Sequence, residues 1–318
     1  MISPSDREGL VAFARDSIAR GSKSFAMASK LFDRQTRERA WLLYAWCRAA
    51  DDITDGQDMG YGMRAVADPH GQLALIRSKT EDALAGRPTS LPAFDALGLV
   101  VAETGIPFRY PRDLTDGFAL DAIGFAPRTE QELYRYCYHV AGAVGCMMAI
   151  VMGVPPDDEA TLDRACDLGI AFQLANIARD ITEDAAAGRC YLPRDWLNQL
   201  DIPREEISEP QHRPRLALLA AHLADRASRY EASARYGAAA LPFRSAWAVL
   251  AAAGIYGGIA REVKRRGAAA WDKRVSTSKG EKLGFAILAA IQAKKRASYP
   301  DPGRAGLWDR ATLRSADR

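Results

Sequence analysis

Apolar residues recur at a spacing near 3.6 along most of this 318-residue chain, and β-branched runs are scarce. That pattern predicts helices throughout. Ser5 with Glu8 matches a capping box opening a helix to about Arg20. A second helix runs from Thr36 to Asp55 and stops at Gly56, with Leu42, Trp46, Ala49 and Ile53 as its apolar stripe. Helical patterns cover Gln72–Ala85, Ala93–Thr104 and Arg112–Ile123, parted by a turn at Gly86–Pro92 and a break at Gly105–Pro111. Thr129 with Glu132 repeats the capping-box pattern at the head of an apolar stretch to Gly153. Asp157–Asp184, Arg215–Tyr236, Phe243–Arg266 and Gly280–Ser298 follow. The pattern predicts about ten helices in one all-α domain over residues 1–298, then a polar, loosely ordered tail over 299–318.

The polar positions are less ordinary. In Phe172–Pro193, FQLANIARDITEDAAAGRCYLP, the residues Gln173, Asn176, Asp180 and Asp184 share one helix face, and Ile170, Leu174, Ile177 and Ile181 share another. Asp180 and Asp184 are like charges four apart, costing about 0.2–0.5 kcal/mol. They also stand before Gly188, where the macrodipole disfavours anions by about 0.3–1 kcal/mol. The Thr36–Asp55 helix repeats the anomaly: Tyr44, Arg48, Asp51 and Asp55 lie on one face, Asp52 is adjacent, and Gly56 follows. One such cluster is ordinary for a solvated helix end. Two, each on a helix whose other faces are apolar, point to carboxylates that share divalent cations across a cavity. Oxygen ligands without a His/Cys pair favour Mg²⁺ or Mn²⁺ over zinc, and Mg²⁺ commonly binds together with phosphate oxygens.

Other stretches carry two readings each. Gly21-Ser22-Lys23-Ser24-Phe25 is either a helix break with a capping serine or a donor-rich turn able to hold a phosphate. Gly142 and Gly145 allow either close helix packing or space for an apolar ligand lined by Met147, Met148 and Met152. Arg179 and Arg189 either balance the acids or clamp a diphosphate, with Tyr191 close by in sequence. Gly56–Gly71 reads as a mobile loop and a candidate lid.

Bulk numbers narrow the classes. Lys plus Arg total 43 against 40 for Asp plus Glu, a net charge of +3 that gives no support to nucleic-acid binding. Five cysteines without a C-x-x-C pair read as buried free thiols in a reducing cytosol, and His139 as a core histidine. No leader pattern opens the chain, and the longest apolar run, Val140–Pro156, falls short of the ~20 residues of a membrane span. A cytoplasmic protein is expected, at most attached to the inner face of a membrane. The basic set Arg261, Lys264, Arg265 and Arg266 is a source of attraction to anionic lipid.

Four stretches, GSKSF at Gly21–Phe25, LYAWCRAADDITD at Leu43–Asp55, YCYHVAGAVG at Tyr136–Gly145 and Phe172–Pro193, together resemble the squalene/phytoene synthase family. The similarity is strongest to its bacterial phytoene synthases of carotenoid pathways. The resemblance implies an all-α isoprenoid-synthase helical bundle with a central cavity. It implies Mg²⁺ held by Asp51 and Asp55 of one motif and by Asn176, Asp180 and Asp184 of the other. Ser22, Ser24, Tyr44, Arg48, Arg179 and Arg274 match the family's diphosphate-contacting positions, and Tyr136, Gln173, Tyr191 and Tyr256 its polar cavity positions. Phe25, Ala143, Met147 and Phe172 bear on cavity depth. The implied reaction joins two geranylgeranyl diphosphates through prephytoene diphosphate, with no NADPH expected and Tyr136 or released diphosphate handling the proton. Contact with a membrane surface and with carotenoid-pathway enzymes is implied as well. The rivals are a squalene or dehydrosqualene synthase using two farnesyl diphosphates, and a non-catalytic helical assembly factor of the same fold.

Overall fold

Start and stop signals in the sequence set the helix boundaries. The computed structural model describes residues 4–59 and 66–316, and among these the long regular elements are all helical. Six helices come first: α1 (Pro4–Gly21), α2 (Lys23–Ser29), α3 (Arg34–Asp55), α4 (Pro69–Leu84), α5 (Pro92–Thr104) and α6 (Arg109–Ala122). Next, α7 (Glu130–Cys137) passes through a π-helical turn, Tyr138–Gly142, into α8 (Ala143–Val151). The longest helix, α9 (Glu159–Ala186), is followed by α10 (Arg194–Gln199), α11 (Arg213–Gly237), α12 (Phe243–Arg266), α13 (Lys279–Lys294) and α14 (Ala311–Ala316).

Several starts differ from expectation for local reasons. Helix α1 runs from Pro4 among the described residues and so already includes Ser5, whose side chain lies outside them. Asp33 caps α3 two residues earlier than expected, accepting from the Thr36 N–H at 3.0 Å. Thr129 does cap α7, but Glu132 reaches past it to the Arg128 N–H at 2.7 Å. A complete capping box stands instead at Ser278 and Glu281, heading α13. Much of the candidate lid, residues 60–65, lies outside the described residues.

Contacts divide the chain into two compact units: Met1–Ile123 with Cys146–Glu159, and Gly124–Gly145 with Ala160–Arg318. In the first, α3 is packed by α1, α4, α5 and α6. Its buried stripe is Leu42, Leu43, Trp46 and Ala50, while Ala49 and Ile53 are only half-buried. The stripe is turned slightly from the expected one because α3 meets neighbours on more than one side. Arg7 joins Glu38 at 2.8 Å and Glu103 at 2.6 Å, and Arg39 joins Glu103 at 2.8 Å, tying α1, α3 and α5 together through charge.

In the second unit the α9 stripe Ile170, Leu174, Ile177 and Ile181 is buried as expected. The small residues serve close packing. A Cβ on Gly145 would sit 2.3 Å from the Ala165 carbonyl oxygen, and one on Gly169 would sit 2.2 Å from that of Ala141. The backbones touch, and no room is left at these glycines for a ligand. His139 is buried edge-on to Tyr138, and all five cysteines are free thiols. One described stretch, Phe243–Trp271, has the length and apolar composition of a membrane span, yet half of its apolar window is buried inside the protein. A search for unbroken apolar runs passes over it, because Arg244 and Arg261 bound its uncharged part.

Residues 301–310, where a loose tail was expected, are pinned to the second unit. Arg304 donates to both oxygens of Asp167 at 2.9 Å, and Asp167 has no exposed side-chain surface. Arg310 meets Asp163 at 2.6 Å, and the Tyr230 hydroxyl accepts from the Trp308 N–H at 2.9 Å. A buried carboxylate is costly without its partner, and the arginine that satisfies it lies in the tail. Arg304→Ala is therefore expected to destabilise the protein by about 3–5 kcal/mol, read as a fall in thermal midpoint that Arg304→Lys partly restores. An unchanged midpoint for Arg304→Ala would mean the tail is not anchored.

Candidate active site

The polar face of α3 is assembled from close sequence neighbours. Arg48 donates from Nη1 to Asp51 Oδ2 at 2.6 Å and stands 3.5 Å from Asp52 Oδ1. Asp52 is used structurally, accepting from the Met59 N–H at 2.9 Å beyond the left-handed Gly56 cap. Asp51 keeps a window to solvent, yet the protein atoms crowding it push its carboxyl up to about 7. Arg48 opposes the rise, while Asp55, Asp52 and Asp121 add repulsion. Asp121, near the end of α6, escaped the sequence reading. Its signal was the one used elsewhere, an acid in the last turn before a glycine, here Gly124.

The GSKSF segment meets this face. Gly21 leaves room that a side chain would fill: its Cβ would come within 2.5 Å of the Tyr44 hydroxyl oxygen and 3.6 Å of Arg48 Cγ. Ser22 caps α2, accepting from the Phe25 N–H at 3.2 Å, and Ser24 lies in the helix's first turn. Phe25 is part-exposed and edge-on to Tyr44, with ring centroids 6.3 Å apart. Among the described residues, the Tyr44 hydroxyl and Arg48 Nε are buried without a well-formed hydrogen bond, although the hydroxyl lies close to the Arg48 guanidinium. Such groups are expensive to leave unsatisfied, and both suit an anionic oxygen.

On α9, Gln173, Asn176, Asp180 and Asp184 share one face, at least partly accessible. Asp180 is gripped twice: Arg179 donates from Nε at 2.7 Å and also from Nη2, while Arg274 reaches it at 3.0 Å. Arg274 also stands 3.4 Å from Glu183. The structure thus brings Arg274, 94 residues away in sequence, to the acid face. Gly188 closes α9 in the left-handed region, with the Arg189 N–H bonding the Asp184 carbonyl at 2.8 Å. That cap fixes Asp184 in the last turn, where the dipole opposes its charge. Burial, then repulsion from Asp180, pushes the Asp184 carboxyl up to about 7, against the pull of Arg189.

Aromatic rings line the same unit. Tyr136 stacks on Tyr191 at 4.7 Å and on Phe125 at 5.7 Å, and Phe172 stacks on Tyr256 at 4.1 Å. Nothing in the sequence around Phe125 singled it out. A small recess opens beside Asp184, lined by Ile177, Ile181, Arg189, Tyr191 and Ile207.

Among the described residues, no three His, Cys, Asp or Glu side chains converge as a ready-made metal cage. The donor chemistry nonetheless fits a hard divalent cation bound with phosphate. The donors are all oxygen, two carboxyls are raised by crowding and like charge, and two buried polar atoms lack well-formed hydrogen bonds. Arg48, Arg179 and Arg274 hold the acids meanwhile and are themselves suited to phosphate oxygens.

The squalene/phytoene synthase family model matches residues 18–281. A 15-cis-phytoene synthase of Pantoea ananas is 46% identical over 306 residues, covering 95% of this chain and 98% of that one. A protein of the same description from Paracoccus sp. (strain N81106 / MBIC 01143) is 44% identical over 302 residues, again covering 95% and 98%. Among solved structures, a dehydrosqualene synthase in complex with ligand superposes with a TM-score of 0.81 at 25% identity, covering 93% of this chain and 99% of that one.

The Tyr44 hydroxyl gives a direct test. Tyr44→Phe removes a buried group without a well-formed hydrogen bond, so thermal stability should be unchanged or higher. Calorimetry with inorganic diphosphate and Mg²⁺ should show binding about tenfold weaker or worse, the worth of a hydrogen bond to a charged acceptor. Stability lost with binding unchanged would show that Tyr44 is structural.

Proposed function

The chain belongs to the squalene/phytoene synthase family, and from that premise we propose that it condenses two geranylgeranyl diphosphates head to head into phytoene. The C1–O bond of one donor breaks, and its electron pair leaves with diphosphate. The C2–C3 double bond of the second donor attacks the allylic cation, and loss of a proton closes prephytoene diphosphate. Ionisation of that second diphosphate, rearrangement and a further proton loss give phytoene. No reductant enters this balance, so no NADPH is required.

The observation that carries this reading is the pair of intact acid faces, each with a carboxyl raised to about 7 and each furnished with arginines. Asp51 and Asp55, and Asn176, Asp180 and Asp184, are the residues that would hold Mg²⁺. When bound, the cation supplies positive charge to the departing diphosphate. Tyr44, Arg48, Ser22 and Ser24 bind and orient one donor's phosphates. Arg179 and Arg274, with Arg189, take up diphosphate oxygens in place of the acids they now grip. Tyr136 is stacked on both sides and serves to hold Tyr191, whose outer face, like the outer faces of Tyr256 and Phe172, offers negative quadrupole to a carbocation. In this reading Gln173 orients a polar group, and the Tyr136 hydroxyl or the released diphosphate accepts a proton. Apolar side chains such as Ile177 and Ile181 keep water from the cation. The reaction takes place in the cytoplasm.

Purified protein incubated with geranylgeranyl diphosphate and Mg²⁺, without NADPH, is expected to yield phytoene. A hydrocarbon formed from farnesyl diphosphate alone, or no hydrocarbon, would overturn the substrate assignment. Asp51→Asn and Asp180→Asn are each expected to lower turnover by about 10²–10³-fold or more while circular dichroism stays unchanged. Near-normal turnover in either variant would remove the acid faces from the mechanism.

A further inference from the structure

Helix α13 carries an apolar face that no described residue covers. Leu283, Ile287, Leu288 and Ile291 are 63, 57, 50 and 53% exposed, and all fall within one side of the helix. Positions 280 and 284 on that side are glycines over which a Cβ would meet nothing. The opposite side is firmly seated. Phe285 packs onto Gly254 and Gly258 of α12, Trp247 Nε1 donates to the Ala286 carbonyl at 2.7 Å, and Ala289 and Ala293 are buried. The outward orientation of the four side chains is therefore fixed by packing.

We propose that this face docks the protein on an anionic phospholipid bilayer. Charge complementarity selects that occupant. The uncharged stretch Leu283–Ala293 is followed by Lys294, Lys295 and Arg296 and preceded by Lys279 and Lys282. The only acid on the helix, Glu281, is engaged in the capping box with Ser278. An amphipathic helix with an apolar face and lysines at both ends lies in a membrane interface, its side-chain carbons among acyl chains and its ammonium groups at phosphates. A second copy of the chain fits poorly. In a two-fold pairing of this face, parallel helices would bring Lys294 and Lys295 against themselves, and antiparallel helices would bring them against Lys279 and Lys282. The family model ends at residue 281, but the Pantoea ananas relative matches 95% of this chain, so α13 lies within the stretch shared with it. The proposal stands on the helix itself. It deepens the proposed reaction only by placing the enzyme where a prenyl substrate enters and a hydrocarbon product departs.

Flotation with vesicles of phosphatidylcholine plus phosphatidylglycerol, against phosphatidylcholine alone, tests it. Wild-type protein should float with the anionic vesicles and be released by raised salt. Ile287→Glu/Ile291→Glu should lower the partition coefficient at least about tenfold, and Lys294→Glu/Lys295→Glu should do the same for anionic vesicles. All four positions point outward or end the helix, so thermal midpoints and turnover in detergent solution should match wild type. Vesicle binding that survives both double variants would overturn the proposal. So would a dimer in sedimentation velocity that Ile287→Glu/Ile291→Glu dissolves. Vesicle binding without phytoene formation would remove the proposed reaction and leave the docking face standing.

Discussion

Carboxylates held at helix ends that repel them set the terms for the rest of this protein. Asp51 and Asp55 precede the Gly56 cap, and Asp184 occupies the last turn closed by Gly188. Each position combines an adverse dipole with a like-charged neighbour. The fold makes them tolerable by pairing: Arg48 with Asp51, Arg179 and Arg274 with Asp180. Those arginines are also good ligands for phosphate, so the groups that balance the acids can serve substrate as well. Stability and function draw on one set of charges.

Much of this was legible from spacing. The α9 stripe and face were readable because one long, regular helix keeps its period for many turns. The same held for the acids of α3, whose apolar stripe was displaced only slightly by multiple neighbours. Arg274 was suggested by family resemblance alone. Its meeting with Asp180 is a contact across 94 residues, which no local pattern encodes. Tyr44 could be placed on its face, but the lack of a well-formed bond for its hydroxyl depends on what packs around it. Asp121 was readable in principle and was missed because the α6 acids Asp113, Asp116 and Asp121 do not recur at the i, i+4 spacing that marked the other two clusters.

The tail shows how composition can mislead. Prolines, glycine and arginines after residue 299 look like a solvated end. Yet Asp167, buried mid-helix on α9, requires a cation, and Arg304 provides it. A lone aspartate in an apolar helical run is a request for a partner elsewhere in the chain, and here the partner lies in the least regular segment.

The π-helical turn at Tyr138–Gly142 has a consequence for the contacts on either side of it. The Ala143 N–H bonds back to the Tyr138 carbonyl, one residue further than in an α-helix. The extra residue is absorbed within the turn, whereas an ordinary α-helix of the same length would swing everything on one side of it by about 100°. Tyr136, with its ring between Phe125 and Tyr191, and Gly145, whose bare backbone abuts Ala165, lie on opposite sides of it. Both cannot keep their partners after such a rotation. The π turn is thus what lets Tyr136 and Gly145 keep both sets of contacts at this chain length.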